Sequence, residues 1–309
     1  MKTLAADSSQ KLEQGRTVND FSIQVATVNG SGSQSSNAVL MRSIFQMGIP
    51  VSGKNLFPSN IAGLPTWFTI RVNKDGWIAR KKEIDILVAM NPQTAVEDVK
   101  LLVPGSVCVS PKELNLDKIR DDVKHYLVPF GELAGQTTDN LKLRKLVTNM
   151  IYVGVVAELL KIDQDEIDKS IRKQFEGKGK AIDLNLTAAL KGREWAKENL
   201  QKKDPFYVER MNQTAGKIII DGNAAAALGC MFAGASVITW YPITPSSSLC
   251  ETLSDYMDEY RIDKETGKAS FAIIQAEDEL AAIGMALGAG WAGARSMTST
   301  SGPGISLMS

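Results

Sequence analysis

ASVITWYPITPSSSLCETLSDYM, residues 235–257, reads as a short apolar strand, a turn stiffened by two prolines and an amphipathic helix. Its neighbours repeat that order. KIIIDGNAAAALGCMFAG (217–234) predicts strand, tight turn and helix, SFAIIQAEDELAAIGMALGAGWAG (270–293) predicts them again, and ARSMTSTSGPGISLMS (294–309) begins another round. Strands that alternate with helices in this way build an open α/β sheet. The last round stops within its helix's first turns, where a sheet edge and a core face would stay uncovered. A fragment of a longer polypeptide is the expectation.

Upstream, residues 21–30 (FSIQVATVNG) predict a buried strand, followed by the small-residue loop GSGSQSSN and a helix over 38–47. Further strands are predicted at 66–72, 84–88 and 106–109, with Asn91-Pro92 and Pro104-Gly105 as punctuation. From 140 to about 204 the pattern becomes helical, and Lys202, Lys203 and Asp204 before Pro205 mark its edge. The expected organisation is a flexible tail at 1–18, an α/β domain with a helical extension at 19–205, a linker at 206–216 and an incomplete second α/β domain at 217–309.

Lysine plus arginine equals aspartate plus glutamate at 35 each, which gives no electrostatic reason to expect nucleic acid or an anionic membrane. No apolar run reaches the roughly 18 residues of a spanning helix, and the N-terminal stretch MKTLAADSSQKLEQGRTVND has no hydrophobic signal core. A cytoplasmic protein is expected. Cys108, Cys230 and Cys250 form no CxxC pair and no cluster spacing, so packing is their expected role. The single histidine, His125, disfavours histidine-based catalysis. Any reactivity would therefore be carried by a cofactor.

Four constellations bear on chemistry. In Tyr241-Pro242-Ile243-Thr244-Pro245, Thr244 is placed as a helix N-cap with Pro245 at the first helical position, and capping alone would account for it. The two prolines also fix its hydroxyl at a strand's C-terminal edge, where open α/β sheets bind ligands. In Gln275-Ala276-Glu277-Asp278-Glu279, the helix dipole suffices for Glu277 and Asp278. Glu279 instead shares a face with Ala282, Ile283 and Ala286, and a buried acid wants a partner, such as a heterocyclic nitrogen. The hydroxyl- and glycine-rich run 298–304 (TSTSGPG) is a generic close-approach loop. The loop from Gly30 to Ser36 suits an anion but is a poor dinucleotide fingerprint, with Ser35 in place of the third glycine and no ribose-binding acid. No Asp or Glu occurs between Asp20 and Asp75, an interval carrying Arg42, Lys54, Arg71 and Lys74. Such a surface suits a polyanion, although an ordinary turn and loop explain it equally well.

Together YPITPSS (241–247), QAEDELAA (275–282) and TSTSGPG (298–304) resemble the 2-oxoacid:ferredoxin oxidoreductases, in particular the subunit that fuses a gamma-type domain ahead of an alpha-type domain. NGSGSQSSN (29–37) and GKNLFPSNIAGLPTW (53–67) resemble the fused gamma domain. The resemblance implies two open-sheet α/β domains: a gamma-type domain, and a thiamine-diphosphate-binding, pyrimidine-type domain truncated at its C-terminus, with a helical segment between. It implies that Glu279, or else Glu277, contacts N1′ of the thiamine aminopyrimidine, and that Thr244 lies beside the substrate's keto and carboxylate oxygens. Tyr241, Pro242, Ile243, Ser301 and Gly302 would line the cofactor, and Lys54, Asn55, Ser59, Asn60 and Arg42 would face coenzyme A or a dicarboxylate. The implied reaction is the coenzyme A-dependent oxidative decarboxylation of 2-oxoglutarate to succinyl-CoA and carbon dioxide, with electrons passed to ferredoxin. Pyruvate, branched-chain 2-oxoacids or indolepyruvate are the alternative substrates, and a non-catalytic partner of the same fold is the rival role. Magnesium and a [4Fe–4S] cluster are expected on a beta-type partner subunit. The arginine that such enzymes place near the substrate carboxylate is not matched in this stretch.

Overall fold

The computed structural model describes residues 15–56 and 62–309 and divides into two compact units, one ending at Lys217 and the other running from Ile218 to Ser309. The first unit opens with β1 (Thr17–Val18), β2 (Asp20–Val28) and α1 (Ser33–Gln46). β3 (Val51–Leu56), β4 (Pro65–Asn73), β5 (Ile86–Ala89), α2 (Ala95–Lys100), β6 (Val107–Pro111) and β7 (Lys124–Val128) follow. Six of these strands form one sheet in the order β3-β4-β2-β5-β6-β7. β4 runs antiparallel to both β2 and β3, and the remaining pairs are parallel. β2 is buried on both faces along most of its length, as a central strand must be.

The helical segment is present as predicted. It comprises α3 (Phe130–Thr137), α4 (Leu141–Leu160), α5 (Gln164–Gln174) and α6 (Gly179–Asn199). Asn140 caps α4, its side chain accepting from the Lys142 and Leu143 amides. From Val147 onward α4 is buried nearly all round. It presses backbone to backbone on α6: a methyl at Gly154 would fall 1.9 Å from the Ala189 carbonyl oxygen, and one at Gly192 would fall 2.2 Å from that of Ile151.

Three expectations need correction here. The stretch 51–56, read as loop, is an edge strand hairpinned to β4. The segment expected as a linker belongs to the first unit. β8 (Phe206–Tyr207) pairs with β1, Met211 N–H donates to the Met47 carbonyl at 2.8 Å, and Thr214 Oγ1 donates to the Phe45 carbonyl at 2.8 Å. Phe206 and Val208 are buried, which explains the docking. The same pairing places residues 17–18, expected in the flexible tail, in a strand; residues 1–14 of that tail lie outside the described residues.

The second unit contains α7 (Gly222–Phe232), β9 (Val237–Trp240), α8 (Ser247–Tyr260), β10 (Ala272–Gln275), α9 (Glu279–Trp291), β11 (Ser296–Met297) and α10 (Pro303–Leu307). The three strands are parallel, in the order β10-β9-β11. Ala227, Ile238, Cys250, Leu253 and Met257 form the core. The strand predicted at 217–220 is absent: these residues pair with neither edge of the β10-β9-β11 sheet. Ile218 and Ile220 instead border a cavity of about 580 Å³ with Met231, Phe232 and Tyr256. Among the described residues no helix is long and apolar enough to cross a membrane.

Candidate active site

Parallel strands put their C-terminal ends on one edge, so the turns after β9, β10 and β11 gather there. Each turn is braced by a side chain. Asp278, not Thr244, acts as an N-cap: its carboxylate accepts from the Ala281 amide at 2.7 Å and starts α9. Thr239 Oγ1 donates to the Ala282 carbonyl at 2.7 Å, drawing α9 onto β9. Asn223, in the first turn of α7, donates to the Pro245 carbonyl at 2.8 Å and bonds Ser248 Oγ at 2.7 Å, holding the turn after β9. Cys250 Sγ and Ser299 Oγ share a hydrogen bond at 3.1 Å, which ties α8 to the loop after β11. Burial pushes the Cys250 thiol above its ordinary range and keeps it protonated.

The three consecutive acids go to different places. Glu277 is exposed, Asp278 caps the helix, and Glu279 is half-buried on the side of α9 that carries the fully buried Ala282. The Glu279 carboxylate borders the loop after β11: a methyl at Gly304 would lie 3.2 Å from Glu279 Oε1 and 2.1 Å from Thr300 Oγ1. The Glu279 side chain makes no hydrogen bond or ion pair among the described residues. The buried Thr298 and Thr300 hydroxyls also lack partners. A half-buried carboxylate beside the sealed, unpartnered Thr300 hydroxyl forms an incomplete hydrogen-bonding set, which fits a polar heterocycle such as an aminopyrimidine.

Thr244 stands at this edge, exposed, in the turn after β9. The prediction that it caps a helix beginning at Pro245 is corrected. The Thr244–Pro245 peptide is cis, the chain turns through 244–246, and α8 starts at Ser247, whose amide donates to the Ile243 carbonyl at 3.0 Å. Ser246 Oγ donates to the Ile243 carbonyl at 3.1 Å and holds this extra turn ahead of the helix. Tyr241, Pro242 and Ile243 share this turn, and Ser301 and Gly302 lie in the loop after β11.

The first unit carries a separate polar cavity of about 310 Å³, lined by Thr27, Gly30, Gly32, Ser33, Asn37 and Asn55 among others, with no carboxylate on its walls. Gly30 and Gly32 both have φ of 81°, which lets the loop fold back ahead of α1, whose first turn contains no acid. Thr27 Oγ1 and Ser33 Oγ share a hydrogen bond at 2.8 Å across the cavity floor. Asn55 lies on its wall, while Lys54, one residue earlier on β3, is exposed and outside it. Arg42 is used elsewhere: its guanidinium donates to the Ser170 carbonyl at 3.4 Å and to Gln174 Oε1 at 3.3 Å. It sits about 13 Å along α1 from Ser33 and on the opposite face, by helical geometry. Ser59 and Asn60 lie outside the described residues.

The motifs of both units recur in known proteins. Residues 22–195 match the pyruvate ferredoxin/flavodoxin oxidoreductase domain, and residues 228–309 match the thiamine diphosphate-binding domain of pyruvate flavodoxin/ferredoxin oxidoreductases. The chain belongs to the 2-oxoacid:ferredoxin oxidoreductase family. It is 27% identical to subunit alpha of 2-oxoacid:ferredoxin oxidoreductase 2 from Aeropyrum pernix, over 94% of this chain and 52% of that protein. It is 29% identical to a 2-oxoglutarate oxidoreductase subunit of Mycobacterium tuberculosis, over 73% of this chain and 37% of that protein. A structure of 2-oxoglutarate:ferredoxin oxidoreductase from Magnetococcus marinus, with 2-oxoglutarate, coenzyme A and succinyl-CoA bound, matches with a TM-score of 0.79 at 29% identity. That match covers 94% of this chain and 49% of the other. The chain spans about half the length of the curated relatives it matches.

Proposed function

We propose that this chain forms the aminopyrimidine side of the active site in a 2-oxoglutarate:ferredoxin oxidoreductase, which makes succinyl-CoA and carbon dioxide and passes electrons to ferredoxin. The observation that carries the reading is the unpartnered Glu279 carboxylate beside the unpartnered Thr300 hydroxyl, at the edge where the three strands end. Bound thiamine diphosphate supplies the carbon nucleophile and electron sink that no side chain offers. Glu279 holds the aminopyrimidine by N1′ and moves a proton there. Thr244 orients the 2-oxoacid oxygens. Tyr241, Pro242, Ile243, Ser301 and Gly302 wall the cofactor and keep water out.

Coenzyme A is assigned to the carboxylate-free cavity of the first unit, where the Gly30–Ser33 turn and Asn55 offer donors to a phosphate. Lys54 is the candidate cation at its margin. A beta-type subunit would hold magnesium, the diphosphate and the [4Fe–4S] cluster. Support for 2-oxoglutarate comes from the relatives in Mycobacterium tuberculosis and Magnetococcus marinus, whose names carry that substrate.

The test co-expresses the full-length subunit with its partner and follows coenzyme A-dependent viologen reduction with 2-oxoglutarate, pyruvate and 2-oxoisovalerate. The fastest turnover is expected with 2-oxoglutarate. Preference for another oxoacid would keep the chemistry and discard the substrate. No turnover by an assembly that holds thiamine diphosphate and an intact cluster would point to a non-catalytic subunit.

A further inference from the structure

The loop after β11 and the start of α9 meet at Gly304. A methyl built on Gly304 would lie 2.1 Å from Thr300 Oγ1, 3.0 Å from Glu279 Cγ and 3.2 Å from Glu279 Oε1. The hydroxyl and the carboxylate therefore border one small space, and glycine is the residue that leaves it open. Thr300 Oγ1 is sealed from water with no partner. Leaving a buried hydroxyl unsatisfied costs about 1–3 kcal/mol, so its retention asks for an acceptor. The loop itself is pinned from behind by the Cys250–Ser299 hydrogen bond, which keeps Thr300 from turning outward.

Resting on the thiamine diphosphate reading, we propose that Thr300 is a positioning residue for Glu279. Its hydroxyl donates to the Glu279 carboxylate once the aminopyrimidine fills the cavity, holding that carboxylate in one orientation. Of the hydroxyls in this loop, Thr300 is the one that borders the same space at Gly304 as the Glu279 carboxylate. β9, β11 and α10, which pack against α9, carry no titratable residue, and neither does the loop 298–302. The remaining ionisable groups nearby are Glu277 and Asp278 on Glu279's own segment, Tyr241 in the turn after β9 and Cys250, whose Sγ shares a hydrogen bond with Ser299 Oγ.

The experiment uses the full-length subunit assembled with its thiamine-diphosphate-binding partner. Thr300→Val keeps the shape and removes the donor, and Thr300→Ser restores it. The near-ultraviolet circular dichroism band of the bound aminopyrimidine, followed against pH, reports the protonation midpoint of the ring at N1′, the atom Glu279 holds. Thr300→Val is expected to move that midpoint by about one pH unit and to weaken thiamine diphosphate binding in calorimetry, with Thr300→Ser returning both. A midpoint identical to wild type in Thr300→Val overturns the proposal even where affinity falls, because a packing role leaves a proton equilibrium unmoved. Should Thr300→Val fail to assemble, Thr300→Ala against Thr300→Ser makes the same comparison. A wild-type assembly that binds no thiamine diphosphate, or a Glu279→Gln variant that keeps the pH-dependent band, overturns the parent reading and this inference with it.

Discussion

Glu279 and Glu277 are two residues apart, yet only Glu279 meets the loop after β11. Glu279→Gln is expected to lower oxoacid-dependent viologen reduction by at least about 100-fold, the usual worth of a positioned acid or base. Glu277→Gln, altering an exposed side chain, should stay near wild type; the reverse ranking would exchange their roles. A different acid adds a pH dependence in the first unit. Trp67 Nε1 donates to Asp98 Oδ1 at 3.0 Å, but Asp98 Oδ2 has no partner and the residue is 9% exposed. Burial raises its carboxyl above the ordinary value of 3.8, and the Trp67 hydrogen bond offsets only part of that. The folded chain thus holds this proton to higher pH than the unfolded one. Stability from this site is fully present below the ordinary value, falls as pH rises toward the elevated one and stays reduced above it. Asp98→Asn keeps an acceptor for Trp67 and should melt higher than wild type at neutral pH, with the difference closing in acid. A difference constant across pH would contradict this account.

At the scale of elements, the α4–α6 contact depends on two glycines that each admit the other helix's carbonyl. Gly154→Ala should cost about 1–3 kcal/mol or more through overpacking and lower the melting temperature by several degrees. Gly229→Ala, on the exposed side of α7 with nothing within 4 Å, should instead gain up to about 1 kcal/mol. Calorimetry of both variants checks the pair. α4 was legible because its apolar residues follow helical spacing behind a capping Asn140, and β2 because an unbroken apolar run suits a central strand. β3 was not, since VSGKNL has the mixed polarity of an edge strand and only its ladder with β4 defines it. KIII at 217–220 shows the converse, an apolar run without a ladder. In the site, YPITP, QAEDE and TSTSGPG were visible as compact strings. The individual parts played by Asn223, Cys250, Thr300 and Gly304 were not, because they arise from contacts between turns of different βα repeats. Arg42 was visible as a cation, but helical phase carries it to α5.

For the molecule as a whole, the boundary falls after Lys217 rather than at the charged edge near Pro205. A chain of residues 15–217 retains the β1–β8 pair, the Arg16–Glu209 ion pair at 2.7 Å and the burial of Phe206 and Val208. A chain of residues 15–205 loses all of them. Each of those two side chains is worth about 1.5–3 kcal/mol when buried, so the shorter chain should melt several degrees lower. Equal melting temperatures would show that the 206–216 segment adds nothing to the first unit.

The cap on α9 has a consequence that stability measurements would miss. A helix turns by about 100° per residue, so the residue that starts it also sets the compass bearing of every side chain after it. Asp278 is an indexing pin: by engaging the Ala281 amide it fixes the bearing at which Glu279 enters the cavity and Leu280 faces outward. Were Glu277 to take over the cap, the helix would be dialled round by more than a quarter turn, and Glu279 would point away from Thr300. The choice among three adjacent acids is made by the one whose carboxylate is spent on the backbone.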